Sequence, residues 1–213
     1  MGWQTVGVLP VAIRVVNPFR FAMNAASAAA ARRGTQAGRA TEPASRTLAC
    51  PLPPAAEAFD DEAGLAELLA DSVPREALHT PVTMEYLRWR YAPESRLDYR
   101  CIRVERHGRL VGLAFARPRR RGRLSELMLS QVIVRPGDTA AARAVLRAAG
   151  SSGSDHVVAH VGEGGQGLPG RSAGYLTVPR WGIRLVANPR RPLPVDPLRL
   201  SNWDLSLGDL EVF

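Results

Sequence analysis

The sequence predicts an α/β fold: a mixed, mostly antiparallel sheet flanked by helices, with a short N-terminal β-hairpin and helix ahead of it. Three observations carry that reading. Residues 99–106 and 109–116 are β-patterned runs joined at His107-Gly108, the punctuation of a hairpin. Residues 127–134 form a nearly unbroken apolar run, read as a strand, ending at Arg135-Pro136-Gly137-Asp138. A helical stretch, 139–149, then separates it from a second apolar run, 156–161, which is the order of a βαβ unit.

The elements follow in chain order. Residues 3–9 and 11–16 read as two short strands broken at Pro10. Asn17-Pro18 opens an alanine-rich helix over 19–33, with proline near its start and Gly34 just past its end. Residues 34–54 shift to Thr, Ala, Gly, Pro and Arg and close on the stiff Pro51-Leu52-Pro53-Pro54. This predicts an N-terminal unit over 1–33, a linker over 34–56 and a main lobe over 57–213. An acidic helix is expected over 60–71, with Leu65, Leu68 and Leu69 on one face and Asp60, Asp61 and Glu62 in the first turn, where the helix dipole favours them. Another spans 83–91, capped by Thr83 and closed by Pro93. Its Met84, Leu87 and Tyr91 should face the core; Tyr86, Trp89 and Arg90 form a neighbouring stripe, read as a core edge with snorkelling arginines. Residues 181–187 and 200–207 read as two closing strands.

Composition narrows the function. The 213 residues can bury one substantial core, 46% are hydrophobic and 23% charged, and no apolar run approaches the roughly 20 residues that span a bilayer. A cytoplasmic protein without membrane partners is expected. The basic residues are all arginine, so lysine chemistry, including Schiff-base formation, is excluded. A formal net charge of +8 favours anionic partners. The densest cluster, Arg117-Pro118-Arg119-Arg120-Arg121-Gly122-Arg123, reads as an exposed, solvated hairpin tip. It has no interleaved aromatics, so nucleic acid is not the expected partner. The start of the chain lacks acidic residues before Glu42, as transit peptides do, but its β-patterned first 16 residues argue against targeting. Cys50 and Cys101 offer neither metal spacing nor a disulfide framework. His156 and His160 share a strand face but stand roughly 13 Å apart, too far for one metal ion. No metal site is expected, and no Ser-His-Asp set, Walker loop or HExxH helix occurs; 162–167 is Gly-dense without the spacing of a phosphate loop.

Several segments taken together resemble a known family. They are Thr83-Met84-Glu85-Tyr86-Leu87-Arg88-Trp89-Arg90-Tyr91, Gly108-Arg109-Leu110-Val111-Gly112, Ser125-Glu126-Leu127-Met128, Gly174-Tyr175 and Asn202-Trp203-Asp204-Leu205-Ser206-Leu207-Gly208-Asp209. Over residues 80–213 the chain resembles the GNAT acetyltransferase superfamily, most closely the C-terminal lobe of tandem GNAT-like proteins of bacterial polysaccharide-type gene sets. Gly2-Trp3-Gln4-Thr5-Val6-Gly7 is similar to the close of a preceding lobe, so residues 1–33 read as the remnant of one.

The resemblance implies an acyl-CoA-dependent N-acyltransferase with acetyl-CoA as cofactor and a small amine or sugar-like substrate. Main-chain amides of Gln131, Val132, Ile133 and Val134 would hold the pantetheine arm. Arg135, Gly137 and Arg143 would serve the diphosphate, at a turn whose N–H groups face the phosphates. Glu126 would be the catalytic base, with Met128 and Ser130 on its strand face and a pKa raised by burial, taking a proton as the amine attacks the thioester; the plainer role for it is pairing with a neighbouring arginine. His156 and His160 are weaker candidates. Two features depart from the family: the turn has a single glycine and carries Asp138, and Gly170 stands where the family commonly has a tyrosine acid. They motivate the alternative, a non-catalytic GNAT-like lobe that acts as structural or regulatory partner of another lobe, or pairs with its own kind.

Overall fold

A computed structural model describes residues 2–34, 48–72, 76–92, 97–121, 123–162 and 168–210. In chain order the elements are β1 (Gln4–Val15), α1 (Pro18–Gly34), α2 (Glu62–Ala70), α3 (Met84–Tyr91), β2 (Arg100–Arg106), β3 (Arg109–Arg121), β4 (Leu124–Val134), α4 (Thr139–Ala148), β5 (His156–His160) and β6 (Leu176–Ala187). The six strands make one mixed sheet in the order β2-β3-β4-β5-β1-β6. Only the β4–β5 pair is parallel. This is the predicted α/β class, and it is compatible with a GNAT-like fold.

Local chemistry explains the boundaries. His107 and Gly108 both take positive φ, 53° and 73°, as a tight two-residue hairpin between β2 and β3 requires. All four α-helices named above begin on side-chain caps: Arg20 N–H donates to Asn17 Oδ1 at 3.0 Å, Gly64 N–H to Asp61 Oδ1 at 2.9 Å, Tyr86 N–H to Thr83 Oγ1 at 3.1 Å and Ala141 N–H to Asp138 Oδ1 at 2.9 Å.

The sheet is packed on both faces. On one, Val145 and Leu146 of α4 meet Leu127, Leu129 and Val132 of β4 and Val157 and Ala159 of β5. On the other, Leu65 and Leu68 of α2 and Leu87 and Tyr91 of α3 meet Leu113 and Phe115 of β3 and Ile133 of β4. Tyr91 stacks on Phe115 with ring centroids 4.2 Å apart and planes 5° from parallel. Met84 packs at the edge of this core, as its spacing predicts.

Two features of β4 position the site. Opposite β3 the register passes from Ala116↔Leu129 to Phe115↔Gln131, so Ser130 is a bulge residue. Opposite β5 the pairing holds only at Glu126↔His156, Leu127↔Val157 and Met128↔Val158. Beyond Met128 the two strands part.

Three expectations need correction. The N-terminus is one strand rather than a hairpin: β1 runs through Pro10, which lacks an N–H and sits where the register with β6 shifts. This strand lies inside the sheet, with β5 on one side and β6 on the other. Residues 200–207 form no strand; a 3-10 turn at Leu200–Asn202 leads into a segment with isolated bridges at Trp203 and Leu205, the first to Leu78. The arginine cluster lies at a hairpin tip, as expected, but residues 117–121 are strand rather than turn, paired with β4 as far as Arg121↔Leu124. Of the expected linker, residues 35–47 lie outside the described residues, while Leu52 and Ala55 are already buried in the core. Among the described residues no helix is long and apolar enough to cross a membrane.

Leu9 of β1 is only 1% exposed. Leu9→Ala should therefore cost about 2–5 kcal/mol and lower the midpoint of a single cooperative urea transition. Two separate transitions, with only a minor one moved, would show instead that β1 belongs to an independent unit.

Candidate functional site

Strand alternation sends Glu126 and Met128 of β4 to one face, and register places Arg119 opposite Glu126 and Arg117 opposite Met128. Arg121, two residues further along β3, shares that face. The parallel rung Glu126↔His156 brings the imidazole to the other side of the carboxylate. Glu126 is fully buried. Its Oε2 accepts from His156 Nε2 at 3.0 Å and lies 3.3 Å from Arg121 Nε; its Oε1 accepts from Arg119 Nε. Glu126, Arg117, Arg119 and Arg121 line a half-open pocket of about 280 Å³ whose remaining wall includes Met128, Val158 and Leu207.

Burial alone would push the Glu126 carboxyl up. The hydrogen bond from His156 and the charges of Arg119 and Arg121 outweigh it, and the group lies below its ordinary value of 4.5. This reverses the expected raised pKa. A carboxylate held as an anion by three donors is a poor proton acceptor, and two of these donors are arginines. The carboxylate can only accept, so His156 Nε2 carries the hydrogen; Nδ1 is buried without a hydrogen-bond partner, and the ring meets Phe21 edge-on at 5.3 Å. His160 turns elsewhere and donates from Nδ1 to the Pro10 carbonyl at 2.7 Å.

One residue outside the sequence reading secures this corner. Asp155, fully buried, accepts from Ser125 N–H at 2.8 Å and Asn24 Nδ2 at 3.0 Å, and Arg20 Nε approaches it at 3.1 Å. Burial would raise its pKa, but these partners hold it below the ordinary aspartate value. Asp155 thereby ties α1 to the point where β4 and β5 begin to pair.

At the point where those strands part lies the C-terminal segment. Gly208 N–H donates to the carbonyl of the bulge residue Ser130 at 2.6 Å, and buried Arg90 donates from Nη2 to Gly208 O at 2.8 Å. Leu207 packs on Met128 of β4 and Val158 of β5. The segment is braced by Asp209, whose Oδ2 accepts from both N and Oγ of Ser206 at 2.7 Å. A Cβ on Gly208 would stand 2.6 Å from Tyr91 Oη and 2.9 Å from Ser130 O, so only glycine fits without displacement. The terminal Trp–Gly-Asp pattern is thus a lock, and Arg90 is part of it instead of a snorkelling surface residue.

The residues expected to bind acetyl-CoA do not converge on a site. Gln131, Val132 and Ile133 are buried in the sheet and Val134 is half-buried. Arg135 is ion-paired with Asp71, and Arg143 donates from Nε to Ser172 Oγ at 3.0 Å. Gly137 turns the chain with φ 84°. Asp138 then caps α4, and the Ala141 N–H, followed by Arg106, holds its carboxyl below the usual aspartate range. A carboxylate therefore already uses the helix N-terminus that a diphosphate would need, and adds charge of the same sign. Ser130 Oγ and Gln131 Oε1 are buried without a hydrogen-bond partner, but the Ser130 carbonyl is taken by Gly208. A Cβ at Gly170 would sit 3.0 Å from both Val161 methyls, so a side chain there requires Val161 to give way. The residues present do not fit acetyl-CoA in this arrangement.

Among the described residues no group of three His, Cys, Asp or Glu side chains is placed to hold a metal ion. No family model and no curated protein matches the sequence.

The lowered carboxyls of Glu126 and Asp155 set an acid limit. A depressed folded pKa gives stability that is present above the unfolded value, near 4.5 for the glutamate, and is lost as pH falls through the folded value. Urea midpoints should be flat near neutrality and drop below about pH 4.5. Glu126→Gln should lose about 1–3 kcal/mol at pH 7 and show a shallower acid slope; an unchanged slope would mean the carboxylate is not held as described.

Proposed function

We propose that this chain is a GNAT-like lobe without turnover of its own, acting as structural or regulatory partner of another lobe. One observation carries the reading: the point where β4 leaves β5 is held by the protein's own Leu207-Gly208, through Gly208 N–H to Ser130 O and Arg90 to Gly208 O. The Asp138 cap on α4 and the anionic state of Glu126 agree with it.

A second reading, an acyl-CoA-dependent N-acyltransferase, is favoured by the parted strands themselves and the bulge at Ser130. It requires the C-terminal segment to move aside. Each main-chain bond it would break is worth about 0.5–1.5 kcal/mol net, so displacement is affordable only if the incoming group replaces those bonds.

Calorimetric titration with acetyl-CoA separates the two. The intact chain should give no saturable heat up to high micromolar ligand. Gly208→Ala, which forces the segment off Ser130 O, should remain silent if Asp138 also blocks binding. Saturable heat from the intact chain would overturn the non-catalytic reading; heat only from Gly208→Ala would favour an acyltransferase gated by its own terminus.

A further inference from the structure

Beyond the last rung to β5, β1 and β6 continue as a two-stranded ribbon, with Val8↔Arg184 and Thr5↔Val186 among its pairs. Its two faces differ. Gly7 and Leu9 lie on one, where Leu9 is buried and Leu200 packs against Gly7. The other carries Val8, Arg184, Thr5 and Val186, all exposed, and Trp3, two residues before Thr5, continues the row at 73% exposure. None of these five residues lines the pocket beside Glu126.

The charge follows the same segments. Residues 1–41 and 164–195, which supply β1 and β6, contain no aspartate or glutamate, and ten of the 28 arginines lie there, more than the whole net charge of +8. Arg184 of β6 is exposed, as are Arg190 and Arg191, which follow Ala187 closely at the end of the ribbon where Ala187 pairs with Gln4 beside Trp3. Among the described residues no carboxylate pairs with these three guanidiniums. The large apolar side chains follow too: among the described residues, all the exposed ones except Trp89 belong to these two stretches.

We propose that this face of the β1–β6 ribbon binds single-stranded nucleic acid, with a base stacked on Trp3 and phosphates met by Arg184, Arg190 and Arg191. An aromatic ring beside guanidiniums that no carboxylate neutralises holds bases by stacking and the backbone by charge. The 117–123 cluster has arginines without an aromatic; this face has both. Its other apolar members are separate valines, less than the carbon surface that the core of a protein interface needs. The inference does not depend on acyl transfer, because the ribbon face lies outside the pocket.

The test is fluorescence anisotropy of a fluorescein-labelled oligothymidylate of about 12 nucleotides, within the site sizes of single-strand binders, titrated with the full chain. It should bind saturably, with log affinity falling linearly as log salt rises. Trp3→Ala should weaken binding roughly tenfold, and Trp3→Phe should keep most of it. Arg184→Gln should weaken binding and lower the salt slope by about one. Arg109→Gln, which removes the same charge from the pair with Glu67, should leave binding unaltered. Absence of saturable binding, or an equal loss in Arg109→Gln, would overturn the proposal. So would equal affinity for poly-L-glutamate or for phosphatidylglycerol vesicles, which would assign the face to an acidic protein or to an anionic membrane surface.

Discussion

A strand that leaves its neighbour must find other partners for its main chain, because a buried amide or carbonyl without one costs as much as a lost hydrogen bond. That constraint falls on β4 beyond Met128. The bulge takes Ser130 out of the β3 register as well. Its carbonyl is rescued from outside the sheet by Gly208 N–H, and the Gly208 carbonyl is rescued in turn by Arg90 of α3. The sheet, helix α3 and the chain end are thereby joined at one point, and Gly208 is required there because no side chain fits.

The neighbour has the complementary problem. β5 is five residues long and buried along its whole length. With only three rungs to β4 it would be poorly supported. β1 supplies five antiparallel rungs, Val11↔His160 to Val15↔His156, and continues past the end of β5 to pair with β6. A buried, short parallel strand can part from one neighbour only if the other holds it throughout. This gives the N-terminal strand a structural task in the same sheet, and it explains why Pro10 is tolerated. Pro10 lies just beyond the last β5 rung, at a register skip, where its missing N–H is not needed and its carbonyl serves His160.

Much of the fold was legible because it rests on local signals. The His107-Gly108 turn, the Thr83 cap and the apolar run of β4 each act within a few residues. What could not be read are pairings between segments far apart in sequence. Pro10 looked like a break because its tolerance depends on β5 and β6. Residues 200–207 alternate like a strand, yet they form isolated bridges at Trp203 and Leu205 instead of a strand. At the site, Glu126 was correctly placed on its strand face, but its pKa direction was not legible. That direction depends on His156, 30 residues away, and on Arg119, across a register that sequence does not fix. The arginine triplet was placed at a hairpin tip, as the structure has it, but its strand pairing was missed because Pro118 and Gly122 are turn formers. The signal that could have corrected this was the two-residue spacing itself: Arg117, Arg119 and Arg121 mark one face of a strand.

Arginine as such carries no message here, since all 28 basic residues are arginine and lysine is absent. Position carries it. Solvated arginines on this surface pair with exposed carboxylates, as Arg88 does with Glu62 and Arg109 with Glu67, and such pairs contribute little. Arg119 and Arg121 instead converge on a carboxylate that is fully buried. Taking an anion out of water costs several kcal/mol unless opposite charge and hydrogen bonds replace the lost solvent, and the His156 N–H, Arg119 and Arg121 supply both. The buried glutamate thereby links β3, β4 and β5 through side chains next to the place where the sheet divides.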